Sequence, residues 1–149
     1  MNELLAIGAS HKTASLALRE RLSLPEGRAA SLVGELVRTP EIHEAVAIST
    51  CNRTEIYLIA ADPVDSESQA LSALSRQAGI RPTELLGNLY SLRGTDAVRH
   101  LFHVAAGLDS MIIGENEIQG QVRRAYELAL VEGTTGPITN RLFLSLIHI

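Results

Sequence analysis

The sequence predicts an α+β domain: about four strands in a mainly antiparallel sheet, helices packed on one face, and a helical extension at the C-terminus. Three observations carry this. Leu4–Ile7, Ala45–Ile48 and Ile56–Ala60 are short apolar runs of strand length, bounded by glycine or polar residues. Only a short polar gap, Ser49 to Asn52, lies between the second and third, which suits an antiparallel hairpin with an irregular junction. The intervening segments carry apolar residues at helical spacing, and the order of elements is not a regular strand–helix alternation.

The elements follow in order. Leu4–Ile7 reads as a buried strand stopped by Gly8. After the polar loop Ser10–Thr13, Ser15 is placed to cap a short helix bearing Leu16, Leu18 and Leu22. Pro25 suits the first turn of a second helix, striped by Leu32, Val33, Leu36 and Val37 and ended at Thr39-Pro40. Ala45–Ser49 and Thr54–Ala60 are the next strands. Asp62-Pro63 reads as a polar connection and Ser66–Ala78 as a helix stopped by Gly79. Pro82 begins a further turn, and Leu89–Leu92 is a fourth strand. Thr95 is placed to cap a helix over Asp96–Ala106, with Val98, Leu101, Phe102 and Ala105 as its apolar stripe. A helix over Glu117–Glu132 follows, and Thr139 is placed to cap one more. The chain divides at residue 108 into an α+β part, 1–108, and a pocket segment with helices, 109–149.

Composition narrows the class of function. The chain has 149 residues, with 46% hydrophobic and 20% charged, which fits a packed globular domain. The formal net charge of -4 argues against a broad phosphate-gripping surface, so any nucleic-acid contact would be local. A single cysteine forms no internal disulfide, which fits a reducing compartment. The N-terminus lacks the basic start and long apolar run of a signal peptide, and no apolar run approaches the ~18–20 residues of a membrane span. A soluble cytoplasmic protein without a membrane partner is expected.

Cys51, the lone cysteine, sits in the polar break between two apolar runs. Were the chain extended there, Cys51 and Arg53 would share a face. A guanidinium there favours a thiolate and can bind a carboxylate through two hydrogen bonds. The competing reading is a small core residue, the common fate of a lone cysteine, although its neighbours Thr50, Asn52 and Arg53 are polar. His100 and His103, one helical turn apart, lie opposite the apolar stripe and either meet solvent or line a cleft. A zinc site from Cys51, His100 and His103 has neither a second cysteine nor an H-E-x-x-H pattern, and no metal is expected. Asp109, Ser110, Glu115, Asn116, Glu117 and Gln119 lie among glycines from Gly107 to Gly120, with Gln121 next; they are helix caps or ligands for an amino group or ribose hydroxyls. Neither G-x-G-x-x-G nor G-x-x-x-x-G-K-[ST] occurs.

Three stretches resemble glutamyl-tRNA reductases: Gly8-Ala9-Ser10-His11-Lys12-Thr13-Ala14 with Leu18–Arg21, Ser49–Tyr57, and Gly107–Glu115 with Gln119–Val122. The resemblance implies NADPH-dependent reduction of glutamyl-tRNA(Glu) to glutamate-1-semialdehyde through a cysteine thioester, the first step towards 5-aminolevulinate and tetrapyrroles. It implies Cys51 as nucleophile and His100 as the activity-linked histidine, by acid assistance or by substrate positioning. It implies glutamyl contacts at Thr50, Asn52, Arg53, Ser110, Glu115, Asn116, Glu117 and Gln121. It also implies a homodimer of the full-length protein, and glutamate-1-semialdehyde aminomutase as a partner. Many members read Glu-Pro-Gln where this chain has Glu115-Asn116-Glu117. The family continues into an NADPH-binding Rossmann domain and a helical dimerisation domain, so the resemblance implies an N-terminal portion; the apolar end after Phe143 is expected to mark a truncation or a foreign tail. The other class of function on the same fold is a non-catalytic module holding an aminoacyl end or a protein.

Overall fold

A computed structural model describes residues 2–113 and 117–148. The element order is β1 (Glu3–Ser10), α1 (Leu16–Leu22), α2 (Glu26–Val37), β2 (Ile42–Ser49), β3 (Arg53–Ala60), α3 (Pro63–Ala78), α4 (Pro82–Leu85), β4 (Tyr90–Arg93), α5 (Thr95–Ala105), α6 (Glu117–Glu132) and α7 (Pro137–Ile147). The strands form one antiparallel sheet in the order β2-β3-β1-β4. The α+β class and the antiparallel four-stranded sheet are as the sequence predicts.

The helices are not confined to one face, as the sequence reading expected: α1–α4 cover one face of the sheet and α5, α6 and α7 the other. Alternate residues of each strand feed two cores. Leu5, Ile7, Ala47, Ile56 and Leu58 face one cluster, which contains Leu22 of α1, Leu32 and Leu36 of α2, Leu74 of α3 and Leu85 of α4. Leu4, Ala6, Val46, Ile48, Tyr57 and Ile59 face the other, with Leu101 of α5, Val122 of α6 and Phe143 of α7. Burial on both faces is why the strands read as unbroken apolar runs and not as alternation. Leu146 is buried in the second core, so the apolar residues after Phe143 continue α7.

Three helix starts differ from the sequence reading. Asp62 is the N-cap of α3, its side chain accepting from Asp65 N, and Pro63 is in the first turn. Asp62-Pro63 is therefore a helix start and not a polar connection. The cap of α5 is Gly94, with no side-chain bond, and Thr95 is already helical. Thr139 lies inside α7, and the carboxylate that receives its N–H comes from another element. Glu44 of β2, buried, accepts from Thr139 N at 2.8 Å and from Thr139 Oγ1 at 2.7 Å. Thr134 covers the edge of β2: its carbonyl accepts from Ala45 N at 2.8 Å and its hydroxyl donates to Ala45 O at 2.8 Å.

Gly8 pairs with Glu55 on β3 and with Tyr90 on β4, so these three form one row across the sheet. A Cβ on Gly8 would lie 2.4 Å from Thr54 O and 2.9 Å from Glu55 Cα. Those are backbone atoms, and a side chain there would force β1 and β3 apart against their hydrogen bonds. Gly8→Ala is expected to lower unfolding free energy by about 3 kcal/mol, at the upper end of ordinary overpacking. Urea denaturation measures this; a loss under ~0.5 kcal/mol, within the range of neutral surface changes, would show that the row has slack.

Candidate functional site

Thr50, Cys51 and Asn52 make the short turn between β2 and β3. The Thr50 hydroxyl accepts from Asn52 N at 3.1 Å and Arg53 N at 3.3 Å, and Thr50 N donates to Arg53 O at 2.8 Å. These bonds hold the turn closed and push Cys51 outward, where it is exposed. The core reading of the cysteine therefore does not hold. The chain is not extended at Cys51 either, so the shared face expected from alternation is absent. Cys51 and Arg53 instead border one small cleft, lined by Thr50, Cys51, Asn52, Arg53, Ser110, Glu117, Ile118 and Gln121. Its lining is polar apart from Ile118 and the thiol itself.

The structure thus brings Thr50, Cys51, Asn52, Arg53, Ser110, Glu117 and Gln121 together. Glu115 and Asn116 lie outside the described residues. His100 does not border the cleft. The buried stripe of α5 runs through Ala97, Leu101, Val104 and Ala105, rotated from the expected one towards His100. His100 is consequently half-buried at its edge, whereas His103 is exposed. The His100 Nε2 lies 2.5 Å from Glu55 Oε2.

Glu55 organises the floor of the site, and nothing in the sequence singled it out as a site residue. It is fully buried. Arg53 Nη1 donates to Glu55 Oε2 at 3.1 Å, Tyr57 Oη donates to Oε1 at 2.8 Å, and Tyr90 Oη also donates to Oε2. Arg53, Glu55 and Tyr57 occupy alternate positions of β3 and so share a face. Gly8, lacking a side chain, leaves the gap across which Tyr90 reaches the carboxylate. The available signal was a charge beside a five-residue apolar run, Ile56–Ala60.

Arg53 is also buried, and its Nη2 donates to Asp109 O at 2.6 Å and to Asp109 Oδ2 at 3.0 Å. The other oxygen of Asp109 takes Lys12 Nζ at 2.5 Å. Ser10 pairs with Arg53 across the sheet, and His11 N donates to Asn52 O at 2.9 Å. Residues from three distant stretches, around 8–14, 49–57 and 107–121, meet here.

The electrostatics follow from this packing. Burial alone would raise the Glu55 pKa, but the His100 hydrogen bond and the Arg53 charge hold it below its ordinary value. Burial would lower that of Arg53, and the Glu55 carboxylate reverses this and raises it. For Asp109, burial acts upward, and the hydrogen bonds from Lys12 and Arg53 bring it down. Burial and the Glu55 charge push both tyrosines up, keeping them protonated as donors.

Among the described residues no group of three or more His, Cys, Asp or Glu side chains could hold a metal ion. No helix among them is long and apolar enough to cross a membrane. A dinucleotide does not fit the residues present: neither G-x-G-x-x-G nor G-x-x-x-x-G-K-[ST] occurs in the sequence to cradle its phosphates.

The family described as "Glutamyl-tRNAGlu reductase, N-terminal domain" matches residues 7–149. The glutamyl-tRNA reductase of Syntrophotalea carbinolica is 42% identical over 138 residues, covering 93% of this chain and 31% of that protein. That of Cyanophora paradoxa is 41% identical over 140 residues, covering 94% of this chain and 32% of that protein. The solved glutamyl-tRNA reductase of Methanopyrus kandleri superposes with a TM-score of 0.77 at 30% identity, covering 97% of this chain and 32% of that chain. The chain thus spans about a third of the length of the relatives it matches.

Proposed function

Because the chain belongs to the family of glutamyl-tRNA reductase N-terminal domains, we propose that it carries the acyl-transfer half of glutamyl-tRNA reduction, in tetrapyrrole biosynthesis. The observation that supports this most is the exposed thiol at the rim of a polar cleft backed by a buried arginine.

In this reading the Cys51 thiolate attacks the ester carbonyl that joins the glutamyl group to the RNA. The carbon–sulfur bond forms and the carbon–oxygen bond to the ribose breaks. The RNA leaves with its hydroxyl protonated, and a glutamyl thioester stays on Cys51. The thioester carbonyl is less resonance-stabilised than that of the ester it replaces, and this prepares it for reduction. Reduction of that thioester by NADPH, which the family resemblance implies, would need a cofactor site in a longer protein of the relatives' length.

Arg53 is the cation for the free carboxylate of the glutamyl group, which would share the guanidinium with Asp109. Ser110, Glu117 and Gln121 supply polar groups across the cleft for its amine and carbonyl. His100 acts through Glu55 on the orientation of Arg53, so it is a positioning residue. Homodimerisation and contact with the aminomutase would belong to a longer protein of the relatives' length.

The test is to mix the chain with glutamyl-tRNA, quench in acid, and measure intact mass and then peptide masses. One added glutamyl group is expected, on the peptide holding Cys51 and released by hydroxylamine as a thioester is. Acylation elsewhere, or none, would refute the assignment.

A further inference from the structure

Arg53 lines the thiol cleft, yet its guanidinium already holds a carboxylate. Both hydrogens of Nη2 go to Asp109: one to the main-chain oxygen at 2.6 Å, the other to Oδ2 at 3.0 Å. A guanidinium grips a carboxylate through parallel bonds along the edge Nε–Nη2 or the edge Nη1–Nη2. Each edge includes Nη2. No other carboxylate is gripped in that way while Asp109 Oδ2 stays in place.

Asp109 has a second partner to move to. Its Oδ1 lies 2.5 Å from Lys12 Nζ, closer than Oδ2 lies to Arg53. Lys12 is exposed, so its long side chain can follow a turning carboxylate. The backbone around Asp109 has no apolar anchor, since Leu108, Met111, Ile112 and Ile113 are all exposed. Rotation about the Cα–Cβ bond of Asp109 frees one Nη2 hydrogen and leaves the main-chain oxygen on the other. The Asp109 charge then stays paired with Lys12. A buried guanidinium left without a partner is strongly unfavourable. Asp109 supplies that partner before a ligand arrives.

We propose that Asp109 is a resident carboxylate on Arg53, which the glutamyl carboxylate replaces while Lys12 takes over Asp109. This rests on Arg53 as the seat of the glutamyl carboxylate. The exchange sets a threshold. A simple carboxylate such as acetate swaps one charged bond for another and gains nothing. A glutamyl group displaces Asp109 because its other polar atoms also bond across the cleft. Asp109 and Lys12 are thus positioning residues that act on Arg53 and keep small carboxylates from it.

The test uses isoglutamine, whose γ-carboxylate is free and whose α-amide does not acylate Cys51, so binding is read apart from acyl transfer. The NMR signals of the Arg53 guanidinium report the dissociation constant. Asp109→Asn is expected to tighten binding about fivefold, the difference between a charged and a neutral hydrogen bond. Lys12→Gln is expected to weaken it several-fold, because Asp109 then has Arg53 alone. The double variant separates exchange from plain charge attraction. It should match Asp109→Asn, since Lys12 acts only on Asp109, whereas independent charge effects would multiply. Acetate should move the Arg53 signals in Asp109→Asn and not in the unsubstituted chain. Circular dichroism verifies folding, and Asp109→Ala, which keeps the main-chain bond to Arg53, takes the place of Asp109→Asn should that variant unfold. An Asp109 variant that binds no tighter, an unchanged Lys12→Gln, multiplying effects in the double variant, or acetate binding to the unsubstituted chain each overturn the exchange. Arg53 signals that isoglutamine moves in no variant refute the Arg53 seat itself, and the exchange with it; acylation of Cys51 is decided separately, by mass.

Discussion

Cys51→Ser is expected to slow glutamate release from glutamyl-tRNA by on the order of a thousandfold, as loss of a nucleophile does in covalent catalysis. Among the described residues no imidazole or carboxylate is hydrogen-bonded to the Cys51 side chain; the Arg19 guanidinium, 3.4 Å from the Cys51 carbonyl oxygen, touches only the backbone. Near neutral pH a thiol is a far stronger nucleophile than a hydroxyl that no base activates. The turn itself should survive, since Thr50 and not the thiol closes it. Single-turnover release of glutamate, with circular dichroism to verify folding, measures the effect. A folded serine variant within about tenfold of the parent would remove Cys51 from the chemistry, because that is too small a loss for a covalent nucleophile.

Glu55→Gln is expected to cost about 3–5 kcal/mol of stability, the range for breaking a buried ion pair. Glutamine matches the shape but replaces one carboxylate oxygen with a donor facing Arg53, His100 and the two tyrosines. Arg53 would keep its charge with only Asp109 to offset it. The same carboxylate sets an acid limb. Its folded pKa lies below the ordinary 4.5, so its contribution is fully present above about pH 4.5 and is lost as pH falls through the lower folded value. The parent should therefore lose stability on acidification below that range, and Glu55→Gln should show a shallower limb. Denaturant midpoints at pH 7, 5 and 4 measure both effects. A loss under ~1 kcal/mol at pH 7, no more than an exposed pair contributes, would mean that the network does not support the fold.

The elements of this fold were legible because each bears a local signature. Apolar runs of strand length marked β1 to β3, and the helical stripe of Leu32, Val33 and Leu36 marked α2. Helix starts were less legible where the cap is remote. Glu44 caps α7 from a strand 95 positions away, so no window around Thr139 contains it. The orientation of α5 was also a tertiary matter. Val98 and Phe102 are as apolar as the residues that ended up inside, and packing against the sheet turned Ala97 and Val104 inward. That rotation separates half-buried His100 from exposed His103, which periodicity alone left equal.

By itself the sequence determined the class of the fold, the polar interruption carrying Cys51, and the three stretches that would supply a site. Residue type and period act over a few positions, and a chain can be read for them directly. Only the tertiary structure decided that the turn presents the thiol outward, that α5 to α7 close the second face of the sheet, and that Glu55 binds Arg53, His100 and two tyrosines beneath the cleft. That carboxylate is stable in the interior because its donors arrive from β3, β4 and α5 together. Burial of a charge is unfavourable until its partners are in place, and no stretch of the chain shows which partners those will be.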